Sequence, residues 1–405
     1  MGLNGLELNF PVERVREGEA EIIVPKLDAY RRGPWDYAPS RAPVFYNPAM
    51  ELARDIAVLA LQVYADRRGG SLRVCEPLAG CGVRGVRFAL EVDGVEQVVI
   101  NDLNPRAVEL AKKNVELNRL VGRVFVENRD ANVLLSGYAA PKMRFDVVDL
   151  DPFGSPAPYI ASSVRALRSG GLLAITATDM APLCGVHPRA CLRKYGGLPL
   201  RTEYCHELAV RLVLGLVART AAIYNLGVEP LLSHATDHYL RVYCRVRWGK
   251  QRANESMGNL GYVLHCFHCF HREVVKGLAT PISETCSECG RRVRVAGPLW
   301  AGPIFDKEFC QQTLKELETR EFRHKARIGK ILRLIVEEAD GPATYYTLNS
   351  LCDVMQIPTP SPKKVVERLK SEAYWASLTH FNPTGVRTDA KSEKVMDVLR
   401  KSVRS

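Results

Sequence analysis

The stretch Cys75-Glu76-Pro77-Leu78-Ala79-Gly80-Cys81-Gly82-Val83-Arg84-Gly85 joins a short apolar run, Leu72 to Cys75, to a segment with helical spacing, Val83 to Val92. Gly80, Gly82 and Gly85 spell G-x-G-x-x-G. Glycine lets a backbone turn sharply and pass close to a ligand, so a strand that ends in this turn and feeds a helix predicts a nucleotide-type cofactor site. The turn alone suits a nicotinamide dinucleotide as well as S-adenosylmethionine. The alternation continues on both sides. Upstream, Glu19 to Pro25 reads as a strand and Tyr30 to Pro48 as an ordered loop. Ala49 to Asp66 reads as a helix that Asn47 caps and Pro48 starts. Downstream come strands at Val98 to Ile100, Val124 to Glu127, Phe145 to Leu150 and Leu172 to Thr176, with helices at Pro105 to Asn118 and Thr202 to Ala221. Val228 to Ser233 and His238 to Trp248 are the last two strands of this series. Strands alternating with helices at this spacing predict an α/β fold with a parallel, doubly wound, Rossmann-like sheet.

A chain of 405 residues exceeds one ordinary core. Composition turns polar over Gly249 to Gly258, the candidate linker, so the expected domains are residues 1–250 and a smaller 251–405. Hydrophobic residues at 46% and charged residues at 25% are ordinary for a soluble globular protein. The sequence has no apolar run of about 18 residues, and Met1 to Phe10 lacks a basic start followed by an apolar stretch. The expectation is therefore a cytoplasmic protein without membrane partners, and nothing in the sequence demands more than a monomer. A net charge of +11 favours a polyanionic partner through phosphate contacts and counterion release, although a merely basic soluble protein has the same balance. Twelve cysteines are too sparse for a disulfide scaffold. Eight of them, including Cys75, Cys81, Cys184 and Cys310, are expected reduced and mostly buried.

In open α/β sheets, ligands bind beyond the carboxyl ends of the strands. Those ends carry Glu76, Asp102 and Asp130 in succession. A carboxylate at 102 suits ribose hydroxyls, and one at 130, beside Ala131, suits an adenine amino group. A nicotinamide site has no need of Asp130, so the set favours adenosine with a charged amino-acid tail. The same carboxylates serve equally well as helix caps or turn residues.

The fourth strand end reads Phe145-Asp146-Val147-Val148-Asp149-Leu150-Asp151-Pro152-Phe153-Gly154-Ser155-Pro156. A carboxylate, a proline, an aromatic ring and a glycine in this order are what transfer to an amino group needs. The exocyclic amine of a base is planar and weakly nucleophilic. A carboxylate and a backbone carbonyl can each accept one N–H and so aim the lone pair at a methyl group. Proline at 152 has no N–H, which leaves a carbonyl without a competing donor. Phe153 can stack on an extruded base, and Asp151 can take the released proton. A proline turn explains Pro152 and Gly154 but not the Asp-Phe combination.

Asp151-Pro152-Phe153-Gly154-Ser155-Pro156 resembles the hallmark of the tRNA guanosine-26 N2-dimethyltransferases. Val44-Phe45-Tyr46-Asn47-Pro48 with Arg54-Asp55, Gly82-Val83-Arg84-Gly85-Val86-Arg87, and Thr176 to Gly185 with His187-Pro188-Arg189 are similar to further family motifs. So are Asp237-His238-Tyr239, Gly297-Pro298-Leu299-Trp300 and Thr379 to Gly385. The likeness runs from about residue 20 to the C-terminus. It implies a methyltransferase-type sheet and S-adenosylmethionine as cofactor. It also implies Arg54, Arg84, Asp102, Asp130 and Ala131 as cofactor contacts, joining Glu76, Gly80 and Gly82 from the turn. Asp151 would be the catalytic carboxylate and Phe153 the base-stacking ring. The alternatives are N2-methylation at another tRNA position, adenine methylation, an idle RNA-binding or chaperone protein, and, weakest, a nicotinamide oxidoreductase.

Cys266-x2-Cys269 and Cys286-x2-Cys289, 16 residues apart, have the spacing of a four-cysteine zinc ribbon. Four complete ligands leave no open position, which predicts a structural ion and an α+β second domain built around it. His265, His268 and His271 are nearby rivals as ligands. Arg320, Arg323, His324, Lys325, Arg327, Lys330 and Arg333 crowd one predicted helix, with Phe322, Ile328, Ile331, Leu332 and Ile335 on its other face. Arg323, Arg327 and Lys330 are the candidate tRNA-backbone contacts, set against a plain solvated face. Thr359-Pro360-Ser361-Pro362-Lys363-Lys364 is either another contact or a loop and helix start.

Overall fold

A computed structural model describes residues 8–33 and 38–404. Residues 1–7 of the N-terminal stretch and 34–37 of the loop before the first helix lie outside the described residues. Two compact units emerge, each built from several chain segments: residues 1–151, 161–175 and 315–328 in one, and 152–160, 176–314 and 329–405 in the other.

The first unit opens with an antiparallel hairpin, β1 (Val12–Glu17) and β2 (Ala20–Pro25). β2 is the strand expected over Glu19 to Pro25; its antiparallel partner, the alternating segment Val12–Glu17, was not expected from sequence. Pro48–Met50 forms one 3₁₀ turn, capped as expected by the Asn47 side chain, and leads into the helix Glu51–Arg68. The parallel strands follow: β3 (Leu72–Glu76), β4 (Val95–Asn101), β5 (Val124–Glu127), β6 (Phe145–Leu150) and β7 (Leu167–Ala177). β3 pairs with both β4 and β6, so the chain runs outward through β4 to β5 and then returns to the other side of β3. The carboxyl ends at that reversal are where such sheets bind ligands. The helices Val83–Glu91 and Pro105–Leu117 fill the crossovers. Valine, isoleucine and leucine dominate the buried strand positions, as a sheet covered on both faces requires.

The second unit contains the hairpin β8 (Leu226–Thr236) and β9 (Tyr239–Trp248), turned at Asp237 with φ +53°. The strand order within the first unit is β5-β4-β3-β6-β7. The expected linker, Gly249 to Gly258, is instead a helix over Lys250–Gly258. Its polarity reflects one solvated face; Ala253 and Ser256 are buried, and the Ser256 hydroxyl accepts from Val228 N–H at 2.8 Å. Beyond it, β10 (Leu260–His265) pairs with β11 (Arg272–Lys276) and β12 (Arg294–Trp300). A small C-terminal sheet, β13 (Tyr346–Thr347), β14 (Ala376–Leu378) and β15 (Gly385–Thr388), packs with the helices Leu348–Met355, Pro362–Ser371 and Ser392–Arg404. The stretch Thr359 to Lys364 forms a loop and the start of the helix Pro362–Ser371. No described helix is long and apolar enough to cross a membrane.

Candidate active site and zinc ribbon

In the first unit the glycine turn closes on the strand ends as the sequence predicts. Gly80 and Gly82 have φ of +55° and +76°. A Cβ at Gly82 would meet Ile100 at 2.9 Å, and one at Gly85 would meet Ile100 at 2.3 Å. Asp102 uses both oxygens locally, accepting from Gly80 N–H at 2.8 Å and Asn104 N–H at 2.9 Å. Asp130 caps the helix Ala131–Gly137, its Oδ1 accepting from Asn132 and Val133. The cap reading of both carboxylates therefore holds, and it coexists with a ligand role because each oxygen carries two lone pairs. Asn101, which the sequence reading passed over, ties three strand ends together through Pro77 O, Arg129 O and Arg129 N–H. Ala79, Gly80, Ile100, Asn101, Asp102, Val108, Ala111 and Val126 line a small depression at these strand ends. Apolar side chains with one carboxylate among them are a lining that suits adenosine.

Arg84, 1% exposed, faces a row of carboxylates. Its guanidinium lies 2.7 Å from Asp151, 3.5 Å from Asp149 and 3.8 Å from Glu76. Burial pushes the Glu76 carboxyl up to about 8 while Arg84 pulls it down, and Gly85 N–H binds its Oε2 at 2.8 Å. Asp149 was missed from sequence; a charged residue in an otherwise apolar buried strand was the available signal. Among the described residues, Arg84 Nε and Nη1 are buried without a hydrogen-bond partner. Nε still faces the Asp149 and Glu76 carboxylates, whereas Nη1 is a cationic donor beside the glycine turn that fits the carboxylate of an amino-acid tail, so the residues present fit S-adenosylmethionine.

Arg54 is placed differently. It is buried and engaged by Glu17 at 2.5 and 2.7 Å and by the Asn47 carbonyl at 3.2 Å. Arg87 binds the same Glu17 at 3.0 Å, Asp55 at 2.8 Å and Glu91 at 2.7 Å. The Arg54-Asp55 signature thus lies in a buried ion network closing β1 onto two helices. Burial alone would raise the Glu17 carboxyl, but Arg54 and Arg87 hold it below its ordinary value. Acid therefore weakens this clamp as pH falls through that lowered pKa. Glu17→Ala leaves two buried guanidiniums short of a partner and costs about 3–5 kcal/mol, read as a lower urea midpoint. A midpoint equal to wild type refutes that role for Glu17.

In the second unit, the Asp-Pro-Phe-Gly loop continues from Asp151, whose side chain is 25% exposed. Pro152 is buried and Phe153 is 70% exposed. Gly154 exchanges two hydrogen bonds with Thr178, through Thr178 Oγ1 at 2.8 Å and Thr178 N–H at 3.0 Å. Ser155 bonds the Tyr195 hydroxyl at 2.9 Å, and Tyr195 donates to Asp179 at 2.5 Å. The loop that presents Phe153 is thus held from behind by the Thr176 to Gly185 motif.

The four ribbon cysteines come together. Cys266 and Cys289 Sγ are 3.5 Å apart, Cys269 and Cys286 Sγ 3.6 Å, and all four lie within 4.8 Å of one another. A tetrahedron of sulfurs about 2.3 Å from zinc has edges of roughly 3.8 Å, so the cage fits the ion. The histidine rivals stand aside: His265 packs edge-on against Phe267 and Tyr204, and His271 pairs with Ser287. Cys266→Ser should remove one zinc per chain and loosen β10–β12, as seen by metal analysis and limited proteolysis. A variant that keeps its full zinc content rules the ribbon out.

The basic segment is only partly helical. The helix spans Lys325–Glu338, so Arg320, Arg323 and His324 precede it. Arg320 is not a free grip, since it binds Glu316, Glu91 O and Gln62. Arg323 is 78% exposed with Glu51 at 3.7 Å, and Arg327 and Lys330 are exposed on the helix. Phe322, Ile328, Leu332 and Ile335 are buried, as the amphipathic pattern predicts.

This sheet order, glycine turn and row of strand-end carboxylates define a Rossmann-like methyltransferase that uses S-adenosylmethionine. A family model described as N2,N2-dimethylguanosine tRNA methyltransferase matches residues 18–400. The tRNA (guanine(26)-N(2))-dimethyltransferase of Methanosphaera stadtmanae is 40% identical over 385 residues, covering 95% of this chain and 96% of the relative. That of Pyrococcus horikoshii is 35% identical over 408 residues, covering 97% and 100%. The solved complex of Trm1 from Pyrococcus horikoshii with S-adenosyl-L-methionine aligns with a TM-score of 0.84 at 34% identity, over 96% of this chain and 99% of that one. The chain belongs to the N2,N2-dimethylguanosine tRNA methyltransferase family.

Proposed function

We infer that this chain is an S-adenosylmethionine-dependent tRNA (guanine-N2)-dimethyltransferase that places one or two methyl groups on the exocyclic N2 of guanosine 26. The observation that carries the reading is Asp151-Pro152-Phe153-Gly154 at the carboxyl end of β6, with Asp151 held by Arg84 beside the cofactor turn. Bound S-adenosylmethionine supplies an electrophilic methyl group for direct in-line displacement. Arg84 binds the cofactor's carboxylate through Nη1, its nitrogen without a hydrogen bond among the described residues. Glu76, Gly80 and Gly82 shape the turn, while Asp102 serves the ribose and Asp130 with Ala131 the adenine. Arg54, held by Glu17 and the Asn47 carbonyl, is the further cofactor contact of this set. Asp151 accepts an N–H of the extruded guanine, orients the amine and takes the proton it loses. The backbone carbonyl at Pro152 is the second acceptor for the amine, and Phe153 stacks on the base. Orienting the amine matters most for the second transfer, because the first methyl group must turn aside to leave a lone pair in line.

Functionally, residues 1–250 form the methyltransferase domain and 251–405 the tRNA-binding domain, with Arg323, Arg327 and Lys330 as backbone contacts. A monomer in the cytoplasm is the setting this reading assumes. Nucleoside mass spectrometry of a tRNA transcript incubated with enzyme and methyl-labelled cofactor tests it. Labelled N2-methyl- and N2,N2-dimethylguanosine are expected, and a transcript with adenosine at position 26 should take up none. Equal labelling of both transcripts overturns the assignment of position.

A further inference from the structure

Cys184, Cys205 and His206 lie outside the site and the ribbon described above. Cys184 ends the short helix Met180–Leu183; Cys205 and His206 begin the long helix Cys205–Ala222. Their ligating atoms, two Sγ and one ring nitrogen, all lie within 4.8 Å of one another, and all three residues are half-buried. Zinc with thiolates at about 2.3 Å and an imidazole nitrogen at about 2.0–2.1 Å holds its ligand atoms roughly 3.5–3.8 Å apart. Closing this cluster onto one ion needs shifts of about an ångström, which side-chain rotation supplies.

We propose that Cys184, Cys205 and His206 form a second metal site, taking a divalent ion of the zinc class, separate from the four-cysteine ribbon. The donors select the class: two thiols and an imidazole suit zinc, whereas magnesium and calcium take oxygen ligands. Two adjacent thiols alone would equally make a disulfide. The imidazole within the same short reach is what singles out a metal. Three ligands leave the fourth tetrahedral position to water.

The consequence is mechanical. Met180–Leu183 directly follows Thr178 and Asp179, which hold Gly154 and, through Tyr195, Ser155 of the catalytic loop. An ion binding this short helix to the long one fixes the platform behind Phe153. Full-length protein purified anaerobically without added metal should contain two zinc ions per chain. The Cys184→Ser/Cys205→Ser double variant should contain one, with the ribbon's ion retained, and His206→Ala should lose its second zinc to a mild chelator. Equal zinc content in wild type and double variant overturns the proposal, as does a Cys184–Cys205 disulfide in peptides mapped from the anaerobic protein. Should the double variant not fold, cobalt(II) titration of metal-free wild type decides. A second, nitrogen-containing tetrahedral spectrum is expected beside that of the four-cysteine site, and a single spectrum saturating at one ion overturns the site.

Discussion

Asp151→Asn should lower methyl transfer by about a hundredfold or more, equivalent to about 2.7 kcal/mol of transition-state stabilisation, while S-adenosylmethionine affinity stays within a few-fold of wild type. The amide keeps the size and one carbonyl oxygen of the side chain. What it loses is the charge that balances a developing cation on the amine and the capacity to take its proton. Asn is the informative substitution because Asp151 is also a partner of Arg84, at 2.7 Å. Alanine there would leave that buried guanidinium short of a carboxylate and mix a folding or cofactor effect into the result. Single-turnover transfer to tRNA and equilibrium cofactor binding separate the two. Near-normal turnover in Asp151→Asn removes the residue from the proton path. If turnover and cofactor affinity fall together, Asp151 acts mainly by holding Arg84.

Much of this was legible because local and global signals agreed. β5 and β6 match their sequence bounds to the residue, since each is a short apolar run closed by a turn, and the glycine turn can be built in few other ways. Other features were set by tertiary contacts that no local pattern displays. The strand expected at Leu172 to Thr176 begins at Leu167, because Gly170 and Gly171 punctuate the sequence without ending the strand. A Cβ at Gly171 would meet Arg168 O at 2.9 Å, so that glycine answers a close approach and not a turn. The polar stretch after Trp248 looked like a linker because a helix with few buried residues has a loop's composition. Arg54 and Arg87 show the converse. Arg54 sits in a stretch resembling the family's N-terminal signature and Arg87 in one resembling its cofactor loop, and both are engaged by Glu17, 37 and 70 residues away along the chain. A motif marks a residue that matters; the network that holds it is visible only in space.

Reversing the charge of Arg323, Arg327 and Lys330 together should weaken tRNA binding by tenfold or more at moderate salt. It should also flatten the salt dependence, by about one unit of slope for each phosphate left unneutralised. The reasoning starts from the pocket. Glycine turn, strand-end carboxylates and Asp151-Pro152-Phe153-Gly154 provide for the chemistry of one guanine, and a flipped guanine looks the same wherever it came from. Choice of position must come from the shape of the tRNA, sensed through phosphates spread over a surface. Arg320 has no part in this, because its guanidinium is tied to Glu91 O, Gln62 and Glu316. Arg323, 78% exposed, lies 3.7 Å from the buried Glu51 carboxylate, which also faces His324, a long contact that leaves the guanidinium open to a phosphate. Glutamate at 323 faces Glu51 instead, so Arg323→Gln with Arg327→Gln and Lys330→Gln is the control that removes charge without adding repulsion. Both triple variants should keep wild-type affinity for S-adenosylmethionine, and the glutamine variant wild-type thermal stability. Filter binding over a series of salt concentrations reads affinity and slope together. Weaker affinity without a change in slope would mean the helix acts by packing; unchanged affinity and slope in both variants would leave it a solvated face, with the tRNA held elsewhere.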